Sequence, residues 1–531
     1  MLFTSYGFIA FVAVLTLLYY LGPANFQWIL LLVGSYIFYL IAGPEYIPYL
    51  LAVTLIVYFA ARIIDRKLSD QDAYLKEHKK ELTKEAKKEY KAAQKKKRMV
   101  FQIIAVVLCV AILALVKYAN FFLANINAVL SASGQAKQLS FLTIAMPLGI
   151  SFYTLQALSY LFDVSRGTIK AEKNVFKFAL FVSFFPQLVQ GPISRFKDLS
   201  KTLYEPHPFN RQAVAFGLQR ILWGFFKKLV IADRIAPAVQ TIFADVSTYS
   251  GGYAFFGMLF YTIQLYADFT GGIDITIGIA QMLGIEVAEN FNLPYFSTSL
   301  KEYWRRWHIT MCSWFRDYIF YPLSSSKGMQ KFSKFTRNHL GQKVGRRLPV
   351  NISSFVVWFV TGMWHGASWN FIVWGLANFV ILMVSEEFEP LYEKFHNRFG
   401  FAGKLPYRIF QILRTFVLIC ALNMFDVCKT IGETVKAFLS IFTSANWGEI
   451  GKGGLLGLGI GVSDYIVLII GILIVFAVSL YKNKNGDIRE GITGLAKPGK
   501  YAIWIVLIIV VIIFGTYGIG YDSSQFIYNQ F

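Results

Sequence analysis

The chain has 531 residues, 56% of them hydrophobic and 16% charged, with a formal net charge of +21. An ordinary soluble domain carries about 25% charged residues, so a soluble multidomain enzyme is excluded, and so is a disordered basic protein. A polytopic membrane protein reconciles high apolarity with high charge, because the charge can be held in loops.

Apolar stretches fall near 1–21, 26–42, 47–64, 100–123, 141–163, 175–190, 212–232, 253–283, 303–322, 351–364, 367–384, 406–427, 465–481 and 501–517. A crossing needs about 20 apolar residues, so the short or interrupted ones read as re-entrant or half-spanning. The first has no basic n-region and no small-residue cleavage site, and reads as an anchor and not a signal peptide.

The charge is concentrated between these stretches. Residues 66–98 hold 13 Lys/Arg and 6 Asp/Glu, residues 324–350 hold 7 Lys/Arg and no acid, and residues 482–500 hold 5 basic and 2 acidic residues. Together they carry +17 of the +21. Nucleic-acid binding is one reading of such runs. The positive-inside rule, which keeps Lys/Arg-rich loops cytoplasmic, is the other and the favoured one, since every run is flanked by apolar spans. On that rule the three spans before 66–98 put the N-terminus outside, and one span after 482–500 puts residues 518–531 outside. The stretch from Lys76 to Lys97, without Gly or Pro, reads as a charged helical segment protruding on the cytoplasmic side; a plain solvated hairpin arm is the favoured reading, and attraction to anionic headgroups or an acidic partner the other.

The cysteines at 109, 312, 420 and 428 lie in or beside apolar stretches without CxxC spacing, so they read as buried small hydrophobes with no disulfide framework and no zinc site. There is no internal repeat, GxGxxG fingerprint or Walker loop, which weakens a nucleotide-driven pump or a transporter.

Polar residues inside apolar spans are costly and are functional candidates. Of the six histidines, His78, His207, His339 and His396 lie in polar segments, whereas His308 and His365 have aromatic surroundings. His365 sits between Trp364 and Gly366, with Ser368 and Asn370 following. A neutral imidazole there can take a proton from a hydroxyl, or can be a core histidine bonded to a carbonyl. His308 follows Arg305, Arg306 and Trp307. On a continuous helix Arg305, His308 and Cys312 share one face, able to grip an anionic or thioester group, or to form a structural ion-pair network.

The motifs Tyr303–Ile309, Trp314–Tyr318 and Trp364–Trp369 resemble the membrane-bound O-acyltransferase (MBOAT) superfamily, in its bacterial cell-envelope branch of alginate, peptidoglycan and wall-polysaccharide O-acetylation and teichoic-acid D-alanylation proteins. Phe185–Arg195, Asp268–Asp274 and Asn290–Tyr295 support it. In relatives the Asp268 motif more often reads with Ser and Tyr where Thr270 and Gly272 stand here. The resemblance implies an all-α polytopic fold of about 11–13 spanning helices, with short re-entrant or interfacial helices around a central tunnel. The expected parts are transmembrane helices over 1–65, a charged cytoplasmic arm over 66–98, the core and C-terminal helices over 99–517, and an extracytoplasmic segment over 518–531.

Phe526-Ile-Tyr-Asn-Gln-Phe531 resembles a terminal acyl-transfer motif of the D-alanine system. This implies that Tyr528 carries an acyl group transiently; an aromatic interfacial anchor is the other reading. The expected activity is O-acyl transfer. Cytoplasmic acetyl-CoA would donate an acetyl group, which would pass through Tyr528 to an extracytoplasmic serine-hydrolase-like partner acting on a cell-wall or exported polysaccharide. His365 would be the base, and His308 or Asn370 would orient the donor or stabilise the oxyanion. Arg305 and Trp364 are expected to position the donor, with no bound cofactor and no metal. The location implied is the bacterial cytoplasmic membrane. Two alternatives stay open: D-alanyl transfer from a carrier protein to teichoic acid, and a polysaccharide or small-molecule transporter.

Overall fold

The computed structural model describes residues 3–135, 138–401 and 403–517. Among these residues the regular structure is helical, with no strand. Seven helices are long and apolar enough to cross a membrane: Ala24–Ala42, Pro44–Glu77, Lys84–Ala132, Trp369–Glu387, Leu405–Val427, Val462–Asn485 and Lys497–Phe514. The other apolar stretches are taken up by shorter, kinked or buried helices, among them Tyr6–Leu21. Val462–Asn485 and Lys497–Phe514 leave Ile469, Ile470, Leu473, Ile505, Val506 and Ile508 exposed. Water would oppose such faces, whereas lipid accepts them and helices satisfy their own backbone groups within it. The protein is a multi-pass membrane protein.

The chain divides into two compact units. One comprises Met1–Ala215 with Ile279–Ala288. In it, Ile47–Glu77 buries Leu50, Val53, Val57, Ala61 and Ile64, a stripe at helical spacing. The segment from Lys76 to Lys97 is a helical hairpin and not one continuous helix. Ile47–Glu77 ends at His78, and the next helix, Lys84–Ala132, starts where Thr83 Oγ1 accepts from the Ala86 N–H at 3.1 Å. A straight helix of 22 residues would carry the chain about 33 Å onward, whereas the apolar residues after 99 must return to the membrane. The two limbs are clasped by a Tyr74–Tyr90 stack at 4.4 Å and by buried Arg98, which donates to Gln71 Oε1 at 2.7 Å.

The other unit comprises Phe216–Gly278 and Glu289–Phe531. Its axis is residues 252–278 of the helix Gly252–Met282, which lie against residues 216–225 of the helix Arg211–Phe225 and the π-helical turn Phe226–Ala232. Glycines permit the approach: a methyl group at Gly224 would stand 2.6 Å from the Gly271 carbonyl oxygen, and one at Gly278 would stand 2.7 Å from that of Gly217. The wide turn lets two consecutive lysines face inward. Lys227 donates to Asp274 at 2.6 Å and to Thr270 at 2.8 Å. Lys228 pairs with Asp233 at 2.7 Å and with Asp268. Arg220 completes the series, on Asp274 at 2.9 Å and on Glu289 at 2.6 Å. Both carboxylates of the Asp268–Asp274 motif are therefore held in ion pairs, as charges in an apolar interior must be.

The basic segment 324–350, expected as a loop, is helical too. Ser326 caps the helix Lys327–His365 by accepting from the Met329 N–H at 3.2 Å. Gly341, at φ 79°, folds it back so that Thr336 donates to the Gly345 carbonyl at 2.9 Å. The last turns of this helix pack tightly on Trp369–Glu387. Methyl groups at Gly362 and Gly375 would stand 2.4 Å from the Phe371 and Trp358 carbonyl oxygens, respectively. Trp304 Nε1 donates to Asn378 Oδ1 at 3.0 Å, tying the 300–306 segment to the same hairpin.

Candidate active site

His308 is placed by a break in the chain. The helix Leu300–Arg306 is capped by Ser299, whose Oγ accepts from the Glu302 N–H at 3.2 Å. Glu302 in turn accepts from the Thr298 N–H and hydroxyl, both at 2.8 Å, and from Arg306 at 2.7 Å. The helix stops at Arg306, and the next, Ile309–Phe315, begins only after His308, which lies in the left-handed region at φ 48°. That conformation is uncommon outside glycine and asparagine. It is held by the neighbouring segment: the Ile309 N–H donates to the Asn290 carbonyl at 3.0 Å, and the Asn292 N–H to the Arg306 carbonyl at 2.9 Å. The expected shared helical face of Arg305, His308 and Cys312 therefore does not form. Arg305 is exposed, whereas His308 is 0% exposed.

Around His308 the walls are aromatic. Phe269 meets the imidazole edge-on at 4.9 Å between centroids, and Trp364 does so at 5.7 Å. Phe291 backs Phe269 at 4.8 Å. Nδ1 of His308 lies 3.3 Å from Oδ1 of Asn290, which also accepts from the Thr310 N–H at 3.1 Å and the Thr310 hydroxyl at 2.9 Å.

His365 closes the helix Lys327–His365, and Gly366 turns the chain out. A methyl group at Gly366 would meet the Phe371 ring at 2.2 Å, so only glycine allows that ring to lie along the turn. Trp374 meets the imidazole at 4.4 Å, Phe371 stacks at 6.2 Å, and Trp364 stands at 5.2 Å. His365 is 9% exposed. Trp364 thus flanks both imidazoles, 57 residues apart in sequence, and makes them one site.

Asn370 is buried, and its amide donates to the Cys428 carbonyl at 2.6 Å, which ties the start of Trp369–Glu387 to the end of Leu405–Val427. Tyr528 lies outside the described residues. Asn290, in the Asn290–Tyr295 motif, is a further residue of the site that the sequence did not single out. The available signal is an amide between Glu289 and Phe291, a polar residue against an aromatic run.

A cavity of about 540 Å³ opens in the same unit, with Trp223, Leu507 and Val510 in its apolar wall and, among its charged groups, Arg220, Lys482 and Arg489 set against Asp274, Glu289 and Asp487. A void of about 80 Å³ shares Arg220, Asp274 and Lys482 with it and extends to Phe291.

The fold and site define a class: an all-helical, multi-pass membrane protein with two histidines enclosed by aromatic side chains. The description "MBOAT, membrane-bound O-acyltransferase family" matches residues 100–425, and the chain belongs to that family. It is 35% identical over 359 residues to a "Probable alginate O-acetylase" of Azotobacter vinelandii, covering 67% of this chain and 63% of that protein. A protein of the same name from Pseudomonas aeruginosa is 31% identical over 88% of this chain and 81% of its own length. A "Peptidoglycan O-acetyltransferase" of Helicobacter pylori is 29% identical over 69% of this chain and 66% of its own.

Proposed function

We propose that this chain moves an acetyl group from cytoplasmic acetyl-CoA across the membrane to an extracytoplasmic partner, which places it on a hydroxyl of a cell-wall or exported polysaccharide. The observation that carries this reading is the pair His308 and His365 on either side of Trp364, in a member of an acyltransferase family. The most similar relatives named above are O-acetylases of alginate and peptidoglycan, which favours an acetyl donor.

Thioester transfer to a hydroxyl needs a base for the hydroxyl proton and a proton for the leaving thiolate. His365, more open than His308, takes the phenol proton of Tyr528. The phenolate oxygen bonds to the thioester carbon, the carbon–sulfur bond breaks, and the thiolate leaves with the proton held by the imidazolium. The aromatic walls keep water from the thioester. A phenyl ester on Tyr528 is a competent onward donor, because a phenol of ordinary pKa about 10 is a good leaving group. The cavity between Lys482 and Trp223 and the void beyond it, reaching Phe291, offer a long, largely apolar approach for a coenzyme thioester from the side of the basic 482–500 segment. That side is cytoplasmic in this reading, and both termini are extracytoplasmic.

His365→Ala is expected to abolish transfer from labelled acetyl-CoA in proteoliposomes while the purified variant stays monodisperse. Tyr528→Phe is expected to lose both the label found on Tyr528 by mass spectrometry and polymer acetylation. Normal acetylation in that variant would overturn the relay. A second reading has its own observation: a "Teichoic acid D-alanyltransferase" of Bacillus subtilis is 27% identical over 47% of this chain. Loading with a carrier-bound D-alanyl thioester in place of acetyl-CoA separates the two.

A further inference from the structure

Asn290 does more than brace a turn. The Thr310 backbone N–H can only donate, and it points at the Asn290 side chain at 3.1 Å, so the atom facing it is the amide oxygen. The Thr310 hydroxyl meets the same oxygen at 2.9 Å. An amide oxygen can only accept. The His308 Nδ1 that lies 3.3 Å from it must therefore carry the proton, and in the neutral ring Nε2 keeps the lone pair.

We infer that Asn290 is a positioning residue that locks His308 with its proton on Nδ1, so that Nε2 serves acyl transfer as an acceptor and not as an oxyanion donor. A ring turned over would put carbon in place of Nδ1 against the Asn290 oxygen and lose that bond. Phe269 at 4.9 Å and Trp364 at 5.7 Å hold its plane, and the backbone of His308 is clamped at φ 48° by the bond from Ile309 to the Asn290 carbonyl. One residue thus sets both the backbone turn, through its carbonyl, and the ring tautomer, through its side chain. This rests on the acyl-transfer reading and deepens it. Of the two jobs open to His308, the tautomer removes oxyanion stabilisation and leaves orientation of the donor, whose N–H or O–H groups Nε2 can accept from, while His365 takes the hydroxyl proton.

The test uses the full-length protein in bilayers with ¹⁵N-labelled histidine. The His308 signal, identified by its loss in His308→Ala, is expected to show a protonated Nδ1 and a bare Nε2. In Asn290→Leu that signal should split or invert, and kcat should fall by about 10²-fold with KM unchanged. Asn290→Asp keeps the acceptor, so it should restore most of kcat. Its carboxylate favours the imidazolium, so the acid limb of the kcat/KM profile should move to higher pH. Asn378→Leu, which loses the bond to Trp304 elsewhere in the unit, should lower stability without moving that limb. A protonated Nε2 in the native protein, or an unmoved profile in Asn290→Asp, would overturn the inference. Should the native protein transfer no acyl group from either donor, the functional reading fails while the spectrum still decides the tautomer.

Discussion

His308 and His365 illustrate what a single position owes to its neighbours. Both are legible in sequence as histidines set among tryptophans, but their pairing is not. It depends on a left-handed residue at 308 and on a glycine at 366, and neither conformation follows from side-chain periodicity. Gly362 and Gly375 make the clearest prediction at this scale, because an added methyl group would meet backbone and not a movable side chain. Gly362→Ala is expected to cost about 1–3 kcal/mol of stability, through the shift needed to separate the two helices. Thermal unfolding in detergent measures it. Activity should fall with it, since His365 lies one turn further along the same helix. By contrast Arg305, a candidate from its spacing to His308, is exposed, and Arg305→Ala should leave unfolding unchanged within about 0.5 kcal/mol.

Among the elements, the helix Gly252–Met282 with the π-helical turn at 226–232 decides most. The turn presents Lys227 and Lys228 to carboxylates at 274, 233 and 268. No periodic pattern announces it, because an α-helix would send consecutive lysines about 100° apart. Lys228→Met should destabilise the protein by about 3–5 kcal/mol, since it removes the cation shared by two buried carboxylates. Lys301→Ala, which removes an exposed pair with Glu386, should cost about 0–1 kcal/mol. Comparing the two unfolding midpoints checks the argument, and equal losses would refute it. The folded-back helix at Gly341 shows the same limit. Composition marked its segment as charged and outside the apolar core, but whether a charged segment runs on or turns back depends on where the next apolar segment must go.

For the whole molecule, the orientation argued from basic loops has its own experiment. Reporter fusions after residue 90 and after residue 490 should report the cytoplasmic side, and a fusion after residue 517 the opposite side. Either of the first two reporting outside would reverse the proposed path of the acyl group. Net charge, apolar stretches and the histidine motifs by themselves determined a helical membrane protein, its family and its two candidate imidazoles, because hydrophobic transfer and local motif chemistry are written residue by residue. Only the tertiary structure decided that His308 leaves the helix, that Trp364 stands beside both rings, and that Asn290 faces Nδ1. Those contacts join segments 18 and 56 residues apart, from Asn290 to His308 and from His308 to Trp364, and close packing selects among such arrangements where periodicity is silent.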